Sequence, residues 1–393
     1  MNAKMNEMIR ALPVHVSEQE ATKHADLPHV LLVLDQFPKS LGGGERIALR
    51  IAALLPQYGY RPSILTFSVH PESSILKDAP CPVYELPLQR TYDFTALRGA
   101  LQLRRFLQEH NVSLIQTFFE SSDLWAGSIA KTVPGIKLIW SRRDLGILRT
   151  RKHLVAYRFM ATLPDCVFAV SEQVRQHCIA VDGLDPARVR TIYNGLDISE
   201  WSHRTGRTGQ HPRPVIATVG NIRRVKGHDI LVRAAASLVT QFPDILFTIA
   251  GGVLESDYYA ELCSLIQISG LESHFEFAGP LDNLEQYLSD ADIFVLPSRS
   301  EGFSNAIIEA MAASLPVVAT AVGGNSEAVE DGVTGIIIPP EDEAALVQAI
   351  SRLLLAPEAA LTMGLAGRMR AAKRFTTEAM MRSITAAYRD LLG

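Results

Sequence analysis

From His29 onward the chain alternates between short apolar runs and longer stretches with helical spacing. "HVLLVLD" is nearly continuous in apolar residues, "LGGGER" interrupts it, and "RIALRIAALLPQYG" then repeats its apolar positions every three or four residues. The same alternation continues through the runs "PSILTF", "LIQTFF", "KLIWS" and "CVFAVS", separated by helical stretches such as "TALRGALQLRRFLQEH" and "EQVRQHCIAV". Strands that are apolar on both faces and alternate with helices predict a parallel sheet covered on both sides, the doubly wound α/β arrangement.

The pattern breaks at "YNGLDISEWSHRTGRTGQHPRP", a polar stretch rich in Gly and Pro, and restarts with "VIATVG". A second series follows: "ILFTIAGG", "FEFAG", "DIFVLPS", "PVVATAV" and "TGIIIPP", each trailed by a helical run. The organisation expected is therefore a loosely ordered extension over 1–27, a Rossmann-like domain over 28–195, a linker over 196–214 and a second Rossmann-like domain over 215–375. A last helix over 376–393 follows, with a return to the first domain as one destination. In such sheets ligands bind beyond the carboxyl ends of the strands, and two of them facing one another form one cleft.

With 393 residues, 47% hydrophobic and 20% charged, the chain can build two cores, which excludes a disordered or fibrous protein. A net charge of -4 gives no overall attraction to nucleic acid. Cys81, Cys166, Cys178 and Cys263 are far apart, with no CxxC or Cys/His spacing, and read as thiols of a reducing cytoplasm. The first residues lack the unbroken apolar core of a signal peptide, and no run reaches the roughly 20 apolar residues of a membrane span. Neither HExxH nor GxSxG occurs, no His/Asp cluster suggests a metal, and His153 and His228 read as surface or supporting groups.

Three stretches carry candidate chemistry. "LGGGERI" follows a strand and opens a helix, so Gly43 and Gly44 suit either a tight turn or close approach to an anion. It is not GxGxxG, since Ile47 stands where the third Gly would be, and no acid ends the next strand, which argues against a nicotinamide site. "VGNIRRVKGHD" lacks P-loop spacing but sets Arg223 and Lys226 at the end of "VIATVG", where two cations suit a diphosphate; Arg224 fits a solvated turn better. "SRSEGFSNAIIEAM" sets Glu301 in a loop and Glu309 in the following helix, about 12 Å apart if every step were helical. Paired glycosidase carboxylates stand about 5 to 9.5 Å apart, so this spacing suits two separate grips on a long ligand better than hydrolysis. Between them Gly302, Phe303, Ser304 and Asn305 open the helix and turn its free amides to an anion.

Together, "GGGER", "VSEQVRQHC", "TIYNGLD", "VGNIRRVKGHD" and "PSRSEGFSNAIIEAMAASLPVVATAVGGNSEAVEDGVTGIIIPPED" resemble the family 4 retaining glycosyltransferases of GT-B fold. The resemblance implies two Rossmann-like domains facing one cleft, no cofactor, and a nucleotide-diphosphate sugar as donor substrate, used without a metal. It implies that Glu309 holds the ribose hydroxyls and Glu301 the sugar hydroxyls. Residues 302–305 then offer amides to the donor, Arg223 and Lys226 neutralise the leaving diphosphate, and Gly43 and Gly44 approach that diphosphate. Two positions depart from the family pattern. Asn221 stands where an Arg is usual, so Arg223 is taken as its substitute, and Arg142 and Arg143 stand where many members have a His, which makes them candidate contacts to the acceptor or sugar.

The reading is a cytoplasmic transferase moving a hexose or N-acetylhexosamine to a glycan or lipid-linked acceptor. The alternatives are a nucleotide-sugar epimerase or hydrolase of the same fold, and a non-catalytic nucleotide-sugar-binding subunit. The basic run "SRRDLGILRTRKHLVAYRF" fits either a solvated face or peripheral contact with anionic lipid or a phosphorylated acceptor.

Overall fold

The computed structural model describes residues 9–12, 26–39, 41–73, 75–88, 90–91, 93–146, 149–201, 213–281 and 283–393. It divides into two compact units: the first ends at Ile192 and also takes Met381–Gly393, and the second is Tyr193–Met380. The change of unit thus falls just ahead of the expected linker, of which 202–212 lie outside the described residues.

The first unit is built on β1 (Arg10–Ala11), β2 (His29–Leu34), β3 (Arg61–Thr66), β4 (Val83–Glu85), β5 (Val112–Thr117), β6 (Lys137–Arg142), β7 (Cys166–Ala169) and β8 (Val189–Thr191). Their order is β1-β4-β3-β2-β5-β6-β7-β8, and all pairs are parallel except β1 with β4. All six residues of β2 are buried, because helices cover both faces. The expectation of loose order over 1–27 fails at β1, where Arg10 and Ala11 pair with Glu85 and Tyr84 and the Arg10 Nε donates to Glu85 Oε2 at 2.8 Å. Residues 1–8 and 13–25 lie outside the described residues.

Crossovers from β2 through β4 run one way across the sheet and those from β4 through β8 the other, so right-handed connections place their helices on opposite faces. One face would remain uncovered over β5 to β7. The C-terminal helix, Thr377–Leu392, fills it: Tyr388 is fully buried, hydrogen-bonds Gln116 of β5, meets Tyr60 edge-on at 5.3 Å and stacks on Phe168 of β7.

The second unit carries β9 (Val215–Val219), β10 (Leu246–Ala250), β11 (Phe275–Gly279), β12 (Ile293–Leu296), β13 (Val317–Thr320) and β14 (Gly335–Ile338), all parallel, in the order β11-β10-β9-β12-β13-β14. Its core packs the buried sheet residues Ile216, Phe247 and Val295 against Leu231 and Leu238 of helix His228–Gln241 and Ile350 of helix Glu343–Leu355. Strand order reverses between β9 and β12, where two neighbouring loops leave the sheet in diverging directions and open a crevice.

Candidate functional site

The two loops at that reversal hold the sequence-derived candidates of this unit. After β9 the chain passes Gly220 and Asn221 to Arg223, makes a 3-10 turn at Arg224–Lys226, and enters helix His228–Gln241. After β12 it runs from Pro297 to Ser304 and enters helix Asn305–Ala312. Gly227 has a φ of 67°, and a Cβ there would lie 2.1 Å from the Pro297 carbonyl oxygen; only glycine lets the two loops meet so closely. On the other side Gly323, φ 53°, would place a Cβ 1.7 Å from the Glu301 carbonyl oxygen, and the Gly324 amide donates to the Gly302 carbonyl at 2.9 Å.

Lys226 Nζ donates to Glu301 Oε1 at 2.7 Å, and the Ser298 hydroxyl donates to the same oxygen at 2.7 Å. The second oxygen of Glu301 has no hydrogen bond among the described residues, and so stays available to a hydroxyl. Arg299 joins the loops: both its terminal nitrogens donate to the Asp229 carboxylate at 2.8 Å, one also to the Arg224 carbonyl at 2.6 Å, and its amide donates to the Val225 carbonyl at 2.8 Å. Burial works against the Asp229 charge, but the bonds from Arg299 and Tyr258 win and hold its carboxyl well below the ordinary range.

Arg223 and Arg224 diverge. Arg224 donates to Glu261 at 2.7 Å and Asp257 at 3.2 Å and lies over the Tyr258 ring, whereas Arg223 makes one 3.3 Å contact with Glu255. Asn221 Oδ1 accepts from the Gly252 amide at 3.0 Å, a bond that Arg, which has no acceptor, does not provide.

Ser304 precedes helix Asn305–Ala312 without capping it, so the first amides of the helix are not spent on its side chain. Phe303 is buried, with Tyr193 and Phe375 each 5.3 Å away, and Asn305 Oδ1 accepts from Asn194 Nδ2 at 2.6 Å. Glu309 lies one turn along this helix, half-buried among apolar neighbours. His228, buried at the start of helix His228–Gln241, is pushed down to about 4 by burial and by the Lys226 charge, and its Nδ1 has no partner.

The remaining candidates belong to the first unit. Gly43 and Gly44 begin helix Gly43–Leu54, and the Glu45 carboxylate lies back against Gly42, where the Gly42 and Glu45 amides help to hold its charge. Burial raises the Glu45 carboxyl, while the positive charge of Arg143 opposes the rise. Burial likewise pushes Arg143 down to about 10, against the pull of Glu45. Arg142 turns inward: its side chain is 2% exposed, pairs with Asp123 at 3.3 Å and Asp182 at 2.9 Å, and sits 4.3 Å over the Tyr157 ring. Arg149 joins the same cluster through Asp182 and Glu120. Burial pushes Asp123 up to about 7 despite Arg142 and the hydroxyls of Thr117 and Tyr157.

Sequence motifs pointed to Glu301, Lys226 and the helix start but passed over Arg299, Ser298, Asn194 and Glu45. Glu45 had a readable signal, an acid three positions into a helix behind glycines; Arg299 and Asn194 gain their roles from partners distant in sequence, and Ser298 from Glu301 three residues on. Among the described residues no group of three or more His, Cys, Asp or Glu side chains could hold a metal ion.

The sequence model for glycosyl transferases group 1 matches residues 213–356, and that for glycosyltransferase family 4 matches residues 41–200. Among curated sequences, a protein named D-inositol 3-phosphate glycosyltransferase 2 of Catenulispora acidiphila is 31% identical over 256 residues, covering 59% of this chain and 60% of the relative. One from Thermobifida fusca is 29% identical over 248 residues, covering 59% and 57%. The chain thus spans about six-tenths of the length of these relatives. Among solved structures, Anabaena HepE in complex with UDP superposes with a TM-score of 0.82 at 22% identity, over 92% of this chain and all of that one. Sucrose-phosphate synthase from Thermosynechococcus elongatus gives 0.82 at 24% identity over 93% and 99%. The overlap of two Rossmann-like units with these structures is the GT-B fold, and with one family model on each unit, the chain belongs to the family 4, group 1 glycosyltransferases.

Proposed function

We propose that the protein is a retaining, metal-independent glycosyltransferase that moves a hexose or N-acetylhexosamine from a nucleotide-diphosphate sugar to a glycan or lipid-linked acceptor, in cell-surface polysaccharide or glycolipid synthesis. The observation that carries this reading is the Lys226–Glu301 pair at the strand-order reversal, beside a helix start not capped by its own side chain. A cation, a carboxylate with one unused oxygen and a set of amides match a diphosphate, a sugar hydroxyl and a phosphate oxygen in turn. The names of the relatives and the UDP in the Anabaena structure support the same ligand class.

Donor binding exchanges the Lys226–Glu301 bond for two others: Lys226 turns to the diphosphate and Glu301 takes a hydroxyl of the sugar. As the bond from the anomeric carbon to phosphate lengthens, negative charge gathers on the departing diphosphate, where Lys226, Arg223 and the amides of 302–305 stabilise it. The acceptor hydroxyl bonds to the same face of the carbon and its proton passes to the leaving phosphate oxygen, so configuration is kept and charge balances. Glu309 holds the ribose. Arg143 is assigned to the acceptor and Arg142 is not, because Arg142 is spent on Asp123 and Asp182. Relatives named for a phosphorylated inositol make an anionic acceptor the first choice to test. A cytoplasmic location belongs to the same proposal, in keeping with four unpaired cysteines.

Thermal-shift screening against a panel of nucleotide sugars identifies the donor, since specific binding raises Tm by mass action. Turnover of that donor is then measured with and without chelator. Transfer to an acceptor in excess chelator is expected. Strict dependence on magnesium or manganese overturns the leaving-group assignment, and donor hydrolysis or epimerisation without acceptor moves the protein to another reaction class.

A further inference from the structure

We infer that one face of the first unit is a docking surface for an anionic lipid bilayer. Helix Phe94–Glu109 buries Ala96, Gly99, Leu103, Phe106 and Leu107 toward the sheet and leaves large apolar side chains on its outer side. Phe94 is 92% exposed, Leu97 64% and Leu101 59%. At about 100° per residue these three form one stripe, with Arg104 along one border and Arg98 and Arg105 along the other. Helix Arg151–Phe159 repeats the design: it buries Tyr157 and exposes Val155 and Phe159, the latter 88%, between Arg151 and Arg158 on one side and Lys152 on the other.

Both helices belong to crossovers that run the same way across the sheet, β4 to β5 and β6 to β7. Right-handed connections therefore place them on the same face, with the short helix Gly127–Ala130 between them and packed against the first. Among the described residues none of the six bordering cations is ion-paired, although the chain as a whole carries a net charge of -4. The only acids on helix Phe94–Glu109 are Glu109 at its last turn and Asp93 at its cap, and helix Arg151–Phe159 has none.

An apolar stripe edged by unpaired cations fits a surface that is apolar within and negative at its boundary, which describes a bilayer with anionic headgroups. Arginine and lysine stems lie along the apolar band while their charged ends reach the phosphates. A second copy of the chain fits poorly, because stripe-to-stripe pairing sets the cationic borders against each other. Nucleic acid offers nothing for Phe94, Leu97 and Leu101 to enter. Among the described residues no single helix is long and apolar enough to cross a membrane.

The test is co-sedimentation of the full chain with vesicles of phosphatidylcholine alone or mixed with phosphatidylglycerol. Binding to the mixed vesicles, weakened by salt, is expected. Leu97→Glu with Leu101→Glu should lower it by tenfold or more, and Arg104→Ala or Arg105→Ala by about fivefold per charge. These side chains are exposed, so an unchanged Tm and unchanged donor binding certify the variants. Equal binding to both vesicle types, no binding to either, or no effect of the substitutions overturns the inference. So does concentration-dependent self-association that Leu97→Glu abolishes, which assigns the stripe to a second copy.

Discussion

Lys226, Arg223 and Arg224 share one short turn yet have three different surroundings. Lys226 is held by a carboxylate that also takes a hydroxyl, Arg223 has a single long contact, and Arg224 is tied to two acids and an aromatic ring. Lys226→Ala and Arg223→Ala should each lower kcat on the order of a hundredfold, because they remove charge that matters most in the transition state. Arg224→Ala should change it no more than a few-fold, and steady-state kinetics of the three variants decides. Comparable small losses at all three would mean that the turn is merely solvated. Glu309→Gln should weaken intact donor and free nucleotide alike, by about 1.5 to 3 kcal/mol for one charged hydrogen bond, as calorimetry would report. The Glu, Lys and Gly positions were legible because charge type and loop position are local properties. Asn221 was legible only as a departure. Its bond to the Gly252 amide, which joins two loops, gives a physical reason for Asn there, and Asn221→Arg would lose that acceptor.

At the scale of elements, the site depends on how the loop after β12 is gripped. Gly227 presses on it at Pro297, Gly323 at Glu301, and Arg299 ties it to Asp229 and to the turn that carries Lys226. Gly323→Ala forces both a left-handed backbone and a clash with the Glu301 carbonyl, so the acid should move and donor turnover should fall by far more than stability. Arg299→Ala should lower kcat/KM ten- to a hundredfold while the nucleotide still binds, since it touches no part of the proposed ligand and acts through loop position. Arg299→Lys should not restore activity, because a point charge cannot span both Asp229 oxygens. Recovery with Lys would show that charge alone matters. Strands such as β2, β10 and β12, of four to six residues, were readable from continuous apolar runs. β1, β4 and β8 have two or three residues each and show no periodicity, so pairing with a neighbour, not local pattern, defines them.

For the whole molecule, the break near 196–214 announced two units, but no local pattern announces where a final amphipathic helix docks. Among the described residues each unit buries one neutral histidine: His29, whose Nδ1 donates to the His110 carbonyl and whose Nε2 accepts from Ser63, and His228. Burial lowers both from 6.5 to about 4. The unfolded chain therefore takes up protons first as pH falls, and the stability present above about 6.5 is lost progressively down to about 4, by at most about 3 kcal/mol per histidine. Urea unfolding at pH 7.5 and pH 5 should show the loss, and His228→Gln should reduce it; a flat profile would rule out buried neutral imidazoles. The last helix has a further consequence for the chain as it is made. The sheet of the first unit is finished by Ile192, but the side chains that cover it over β5 to β7 come from Met381 onward. At about 5–20 residues per second, the ribosome exposes that open apolar face on the order of ten seconds or more before its cover emerges. A messenger cut short before Met381 should therefore yield an aggregating product, not a soluble half.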